Sequence, residues 1–150
     1  MRIAMIGSGY VGLVSGVCFA DFGHDVVCID KDAGKIAQLE AGVMPIYEPG
    51  LKEIVDKNVR EGRLTFTTDL ASGVAGAKAI FIAVGTPSRR GDGYADLSYV
   101  YAAAREIAEH ADEDAVVVTK STVPVGTGDE VERIVREVRP VSRIAVVSNP

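Results

Sequence analysis

At 150 residues with 47% hydrophobic side chains, the chain can bury about two thirds of its unfolded surface around one core, so residues 1–150 read as one domain. Asp and Glu (21) outnumber Lys and Arg (16) for a net charge of −5, and no stretch concentrates the basic residues, so nucleic acid is excluded as a partner and a small molecule is expected. The amino terminus lacks a signal-peptide core and no apolar run approaches the roughly 20 residues that cross a bilayer, which points to a cytoplasmic protein without a membrane partner. Cys18 and Cys28 have neither CxxC spacing nor nearby histidines. No metal site or disulfide framework is expected, and both cysteines read as small buried apolar residues.

In chain order, the first apolar run covers 2–6 and stops in Gly7, Gly9 and Gly12, after which apolar residues resume as a helix. A second strand covers 25–29, followed by a helix beginning near Asp32. Leu51, Ile54, Val55 and Val59 form the stripe of another helix, with Pro49 suited to its first turn and Gly62 to its C-terminal cap. Within "PIYEPGL" before it, Tyr47 and Glu48 have no reading from sequence. A weaker strand at 64–67 and a strong one at 79–84 precede the irregular stretch "TPSRRGDGYAD", 86–96. Leu97, Val100, Tyr101, Ala104, Ile107, Ala108 and Ala111 then follow helical spacing, with Asp96 as expected N-cap. After a strand at 115–119, Val131, Ile134, Val135 and Val138 mark a helix with Thr127 and Glu130 in capping-box spacing. A last strand covers 143–147. Strands apolar on nearly every residue suit a sheet covered on both faces. Alternating with helices, they give an α/β fold of Rossmann type, a doubly wound, mainly parallel six-stranded sheet with helices on both faces.

Gly7, Gly9 and Gly12 form a G-x-G-x-x-G pattern. The first glycine permits a tight turn, the second removes a side chain where a pyrophosphate approaches, and the third lets helix and strand pack closely. A flexible turn would show the same three glycines. Context favours the phosphate reading, because the motif follows a buried strand, opens a helix, and is followed by a second strand ending in Asp30. A carboxylate there accepts bonds from the hydroxyls of an adenosine ribose and repels a 2′-phosphate, and the next residue is Lys31 rather than a clamping Arg, so NAD is favoured over NADP. FAD proteins and methyltransferases share this opening. The ligand of such a sheet lies where strand order reverses, so the strand at 79–84 should flank the first. It ends in "AVGTP", with Gly85 and Thr86; the next ends in "TKSTVPVGT", with Ser121 and Thr122. These line the nicotinamide half of a dinucleotide, or serve as turn and capping residues.

In order and spacing, "MIGSGYVGLVSGVCFADFGHDVVCIDKDAGKI", "PIYEPGL", "AVGTP", "GDGYADLSYV" and "KSTVPVGT" resemble the amino-terminal domain of the UDP-glucose/GDP-mannose dehydrogenases over essentially the whole chain. The resemblance implies NAD-dependent, four-electron oxidation of a sugar nucleotide such as UDP-glucose, its C6 alcohol becoming a carboxylate through a thiohemiacetal and thioester on a cysteine. It also implies that Tyr10 and Val11 contact the pyrophosphate through the backbone, that Asp30 and Lys35 hold the ribose, and that Thr86 and Thr122 lie along the nicotinamide. Thr122 would further order a catalytic water. Read without the resemblance, Lys35 is a solvated helix residue. Family members continue past "VVSNP" into a sugar-nucleotide segment, a long helix through which they form homodimers, and a domain carrying the nucleophilic cysteine. The chain is therefore expected to be the cofactor-binding portion of a longer enzyme; a self-standing nucleotide-binding or regulatory module is the alternative.

Overall fold

The computed structural model describes all 150 residues. Six strands alternate with six helices: β1 (Arg2–Ile6), α1 (Tyr10–Asp21), β2 (Asp25–Ile29), α2 (Ala33–Glu40), α3 (Leu51–Arg60), β3 (Leu64–Thr67), α4 (Leu70–Val74), β4 (Ala79–Ile82), α5 (Ser98–His110), β5 (Val116–Thr119), α6 (Thr127–Val138) and β6 (Ala145–Ser148). The strands form one sheet in the order β3-β2-β1-β4-β5-β6. Every pairing is parallel, and the register sets Ile6 beside both Ile29 and Ile82, so these strands finish level at one edge. Strand order reverses between β1 and β4, and a crevice opens there beyond the carboxyl ends.

Alternate residues of the central strands feed two cores. Ala4, Ile6, Val27, Ile29, Ile80 and Ile82 pack against α4, α5 and α6. Ile3, Met5, Val26 and Cys28 pack against α1, α2 and α3. That two-sided burial explains the continuous apolar runs, and each fully buried aliphatic side chain contributes about 1.5–3 kcal/mol of transfer free energy.

Some local expectations need correction. β4 ends at Ile82, β5 starts at Val116, and β6 is shifted to 145–148. Pro49 lies one residue before the N-cap of α3, which is Gly50 in a left-handed conformation; Gly62 does close the helix, at φ +72° with its N–H on the Val59 carbonyl. Val59, in the last turn, is exposed rather than part of the buried stripe. The N-cap of α5 is Leu97, although the Asp96 carboxylate still accepts from the Ser98 N–H at 3.0 Å. No capping box forms at α6: the cap is Gly126, Thr127 donates its hydroxyl back to the Pro124 carbonyl at 2.7 Å, and Glu130 pairs with Arg133. Cys28 is buried as expected, but Cys18 is exposed, because α1 turns Leu13, Gly16, Val17 and Ala20 toward the sheet.

Candidate functional site

The three fingerprint glycines occupy three different environments. Gly7 has φ +101°, donates its N–H to the Ile29 carbonyl at 2.7 Å, and passes so close to β4 that a Cβ would lie 2.4 Å from the Ala83 carbonyl oxygen. At Gly12 a Cβ would fall 1.8 Å from the Gly7 carbonyl oxygen, so α1 presses directly on the turn. Gly9, the N-cap of α1, meets nothing within 4 Å of where a Cβ would stand. The helical ladder starts at Leu13, whose N–H bonds Gly9 at 2.9 Å, so the N–H groups of Tyr10, Val11 and Gly12 precede it. No side chain caps this helix and no acid occupies its first turn. An anion set against Gly9 would meet bare backbone donors and the positive end of the macrodipole.

Asp30 stands immediately after β2, its side chain only 13% exposed. The carboxylate accepts from the Ser8 N–H at 2.8 Å, the Asp32 N–H at 3.0 Å and the Lys35 ammonium at 2.8 Å. Burial pushes its pKa up, but the lysine and the two backbone donors together outweigh burial and hold the group below the ordinary carboxylate range. Asp32 caps α2 by accepting from the Lys35 N–H at 3.0 Å, so Asp30 is not needed as a cap. Lys35 is no freely solvated helix residue; it is the ionic partner of Asp30.

These groups open into a cleft of about 840 Å³ that runs over Gly7 and Gly9, past Asp30 and Lys35, and across to Gly85 and Thr86. Its volume suits a ligand of dinucleotide size. Neither Tyr10 nor Val11 is part of the cleft lining, and both are exposed. Thr122 is exposed beside the cleft rather than in its wall, and its carbonyl accepts the Thr86 hydroxyl at 3.1 Å. Ser121 takes the bland role, donating to the Val84 carbonyl at 2.7 Å and so tying the two strand-end loops together. Sequence reasoning missed the apolar wall built by Thr68, Leu70, Tyr99 and Ala103. Its available signal was Asp69, which caps α4 by accepting from the Ala71 N–H. Glu48 also gains an account, because it accepts the hydroxyl of Tyr10 and so straps the loop before α3 to the first turn of α1. Tyr47 remains exposed without a partner.

The model of the UDP-glucose/GDP-mannose dehydrogenase family, NAD binding domain, matches residues 1–150. The chain belongs to this family. Among curated relatives, the UDP-glucose 6-dehydrogenase of Rhizobium meliloti (strain 1021) is 70% identical over the whole chain, which covers 34% of that relative. UDP-glucose 6-dehydrogenase TuaD of Bacillus subtilis (strain 168) is 55% identical over 99% of the chain and 32% of its own length. The chain thus spans about a third of the relatives it matches. A UDP-glucose dehydrogenase from the hyperthermophilic archaeon Pyrobaculum islandicum superimposes with a TM-score of 0.92 at 43% identity, covering 99% of this chain and 35% of that one. The GDP-mannose dehydrogenase of Pseudomonas aeruginosa, solved as a ternary complex, gives 0.94 at 36% identity over 100% and 36%. NAD is the cofactor of this family domain. The dehydrogenase relatives favour the enzyme reading over a self-standing module, and no helix is long and apolar enough to cross a membrane.

Proposed function

We propose that residues 1–150 are the NAD-binding Rossmann domain of a longer enzyme that oxidises UDP-glucose to UDP-glucuronate. The observation that carries this reading is the glycine turn, closed by backbone at Gly7 and Gly12 yet open at Gly9, set beside the Asp30 and Lys35 pair in one cleft. In this assignment the N–H groups of Tyr10, Val11 and Gly12 receive the pyrophosphate, which the space at Gly9 admits. Asp30, already oriented by Ser8, Asp32 and Lys35, accepts from the adenosine ribose. Gly85 allows the nicotinamide half close to the end of β4, with Thr86 and Thr122 beside it; Thr122 is the chain's candidate catalytic residue, ordering water near the reacting carbon. Bound NAD supplies the hydride acceptor, two equivalents being needed to take a C6 alcohol to the carboxylate. The sugar-nucleotide site and cysteine nucleophile lie in the remaining two thirds of the enzyme, which we place in the cytoplasm as a homodimer.

Calorimetric titration of the purified chain and of Gly9→Val tests the placement. The wild type is expected to bind NAD more tightly than NADP. Gly9→Val, whose side chain meets open space, should keep its melting temperature within a few degrees and lose at least about tenfold in NAD affinity, the cost of roughly one displaced phosphate contact. Undiminished binding by the folded variant would overturn the assignment.

A further inference from the structure

Two lysines flank the end of the cleft assigned to the adenosine ribose, and each is neutralised by a carboxylate from a different element. Lys35 of α2 meets Asp30 at 2.8 Å. Lys31, directly after Asp30 and part of the same lining, reaches across the mouth to Glu106 of α5 with its Nζ 2.5 Å from Oε1. The rim therefore holds two cations, enough in number for a phosphate, and no unpaired one. We propose that Glu106 is a specificity-determining residue: by occupying Lys31 it withholds the cation that would receive a 2′-phosphate, so the choice of NAD over NADP rests on two carboxylates rather than on Asp30 alone.

The chemistry favours this division. A 2′-phosphate brings close to two negative charges and needs an available cation as well as freedom from an opposing carboxylate. Asp30 supplies only the opposing charge. Glu106 removes the compensating one, and it does so from a helix remote in sequence from the fingerprint, where no local motif reports it. The neighbouring acid on α5, Glu109, lies against His110 at 3.8 Å and has no contact with either lysine. Lys31 is 73% exposed and Glu106 36%. Their pairing is therefore a screened, rim-level interaction, and its effect should be modest and sensitive to salt.

The inference rests on the ribose placement proposed above, and the test separates the two. With the full chain at low ionic strength, Glu106→Gln is expected to tighten NADP binding about three- to fivefold, leave NAD within about twofold, and lose the gain in high salt. Adding Lys31→Met to Glu106→Gln should cancel the gain. Glu109→Gln changes net charge equally and should produce none. Unchanged NADP affinity in Glu106→Gln, an equal gain in Glu109→Gln, or a gain that survives Lys31→Met would each overturn the proposal while NAD binding by the wild type stands. Failure of the wild type to bind NAD, or undiminished binding by Gly9→Val, would instead overturn the placement beneath it.

Discussion

A methyl group at Gly12 would sit 1.8 Å from the Gly7 carbonyl oxygen, whereas one at Gly9 would meet nothing within 4 Å. Alanine gains about 1 kcal/mol of helix propensity over glycine, but a backbone oxygen cannot move aside as a side chain can. Gly12→Ala is therefore expected to lose about 2–4 kcal/mol net in urea unfolding, and Gly9→Ala less than about 1. Asp30 sets a pH dependence. Its folded pKa lies below its unfolded value, so its contribution is complete above about pH 4 and fades as the pH falls through the lower folded value. Asp30→Asn should thus be less stable than wild type at pH 7 in urea titrations, with the gap narrowing below about pH 4; a gap independent of pH would contradict this role. The glycine turn could be read from the sequence because its spacing follows one strand, turn and helix, and the position of Asp30 because it ends the next apolar strand. Lys35 could not be read from the residues alone, since a lysine in the first turn of a helix is equally a solvated one until its side chain is seen on Asp30, five residues back. Leu70 could not, since it reaches the cleft only when separate elements meet.

At the scale of elements, the strands were legible because burial on both faces leaves a continuous apolar signature that polar turns interrupt. Helix starts were less so. Thr127 and Glu130 have capping-box spacing, yet Gly126 adopts φ +88° and bends the chain so that Thr127 turns back to Pro124. Gly126→Ala should accordingly cost about 1 kcal/mol or more in urea unfolding, because alanine resists that backbone conformation, while Glu130→Gln, an exposed partner of Arg133, should stay within about 0.5. The five residues of α4 were missed because so short a helix shows no periodicity. Its loss from the sequence reading hid the wall that Leu70 and Thr68 bring to the cleft.

For the whole molecule, spanning about a third of the matched dehydrogenases has a direct consequence for activity. The 150-residue chain by itself, mixed with NAD and UDP-glucose, should form no NADH by absorbance at 340 nm, and steady turnover would contradict the proposed division of labour. With fewer contacts than a closed two-domain cleft offers, its NAD dissociation constant should fall between about 1 μM and 1 mM, roughly −8 to −4 kcal/mol. The parallel sheet and both covered faces followed from the alternation of strands and helices, and the place of β4 beside β1 from the reversal of strand order expected there. The Ala83 carbonyl that walls Gly7 comes from more than halfway along the chain, and it has a kinetic meaning. The opening segment carries the entire glycine signature, yet its cradle has no back until the fourth strand docks beside the first. Ligand capture thus depends on a long-range closure, and a polypeptide that has emerged only as far as the third strand is expected to lack it.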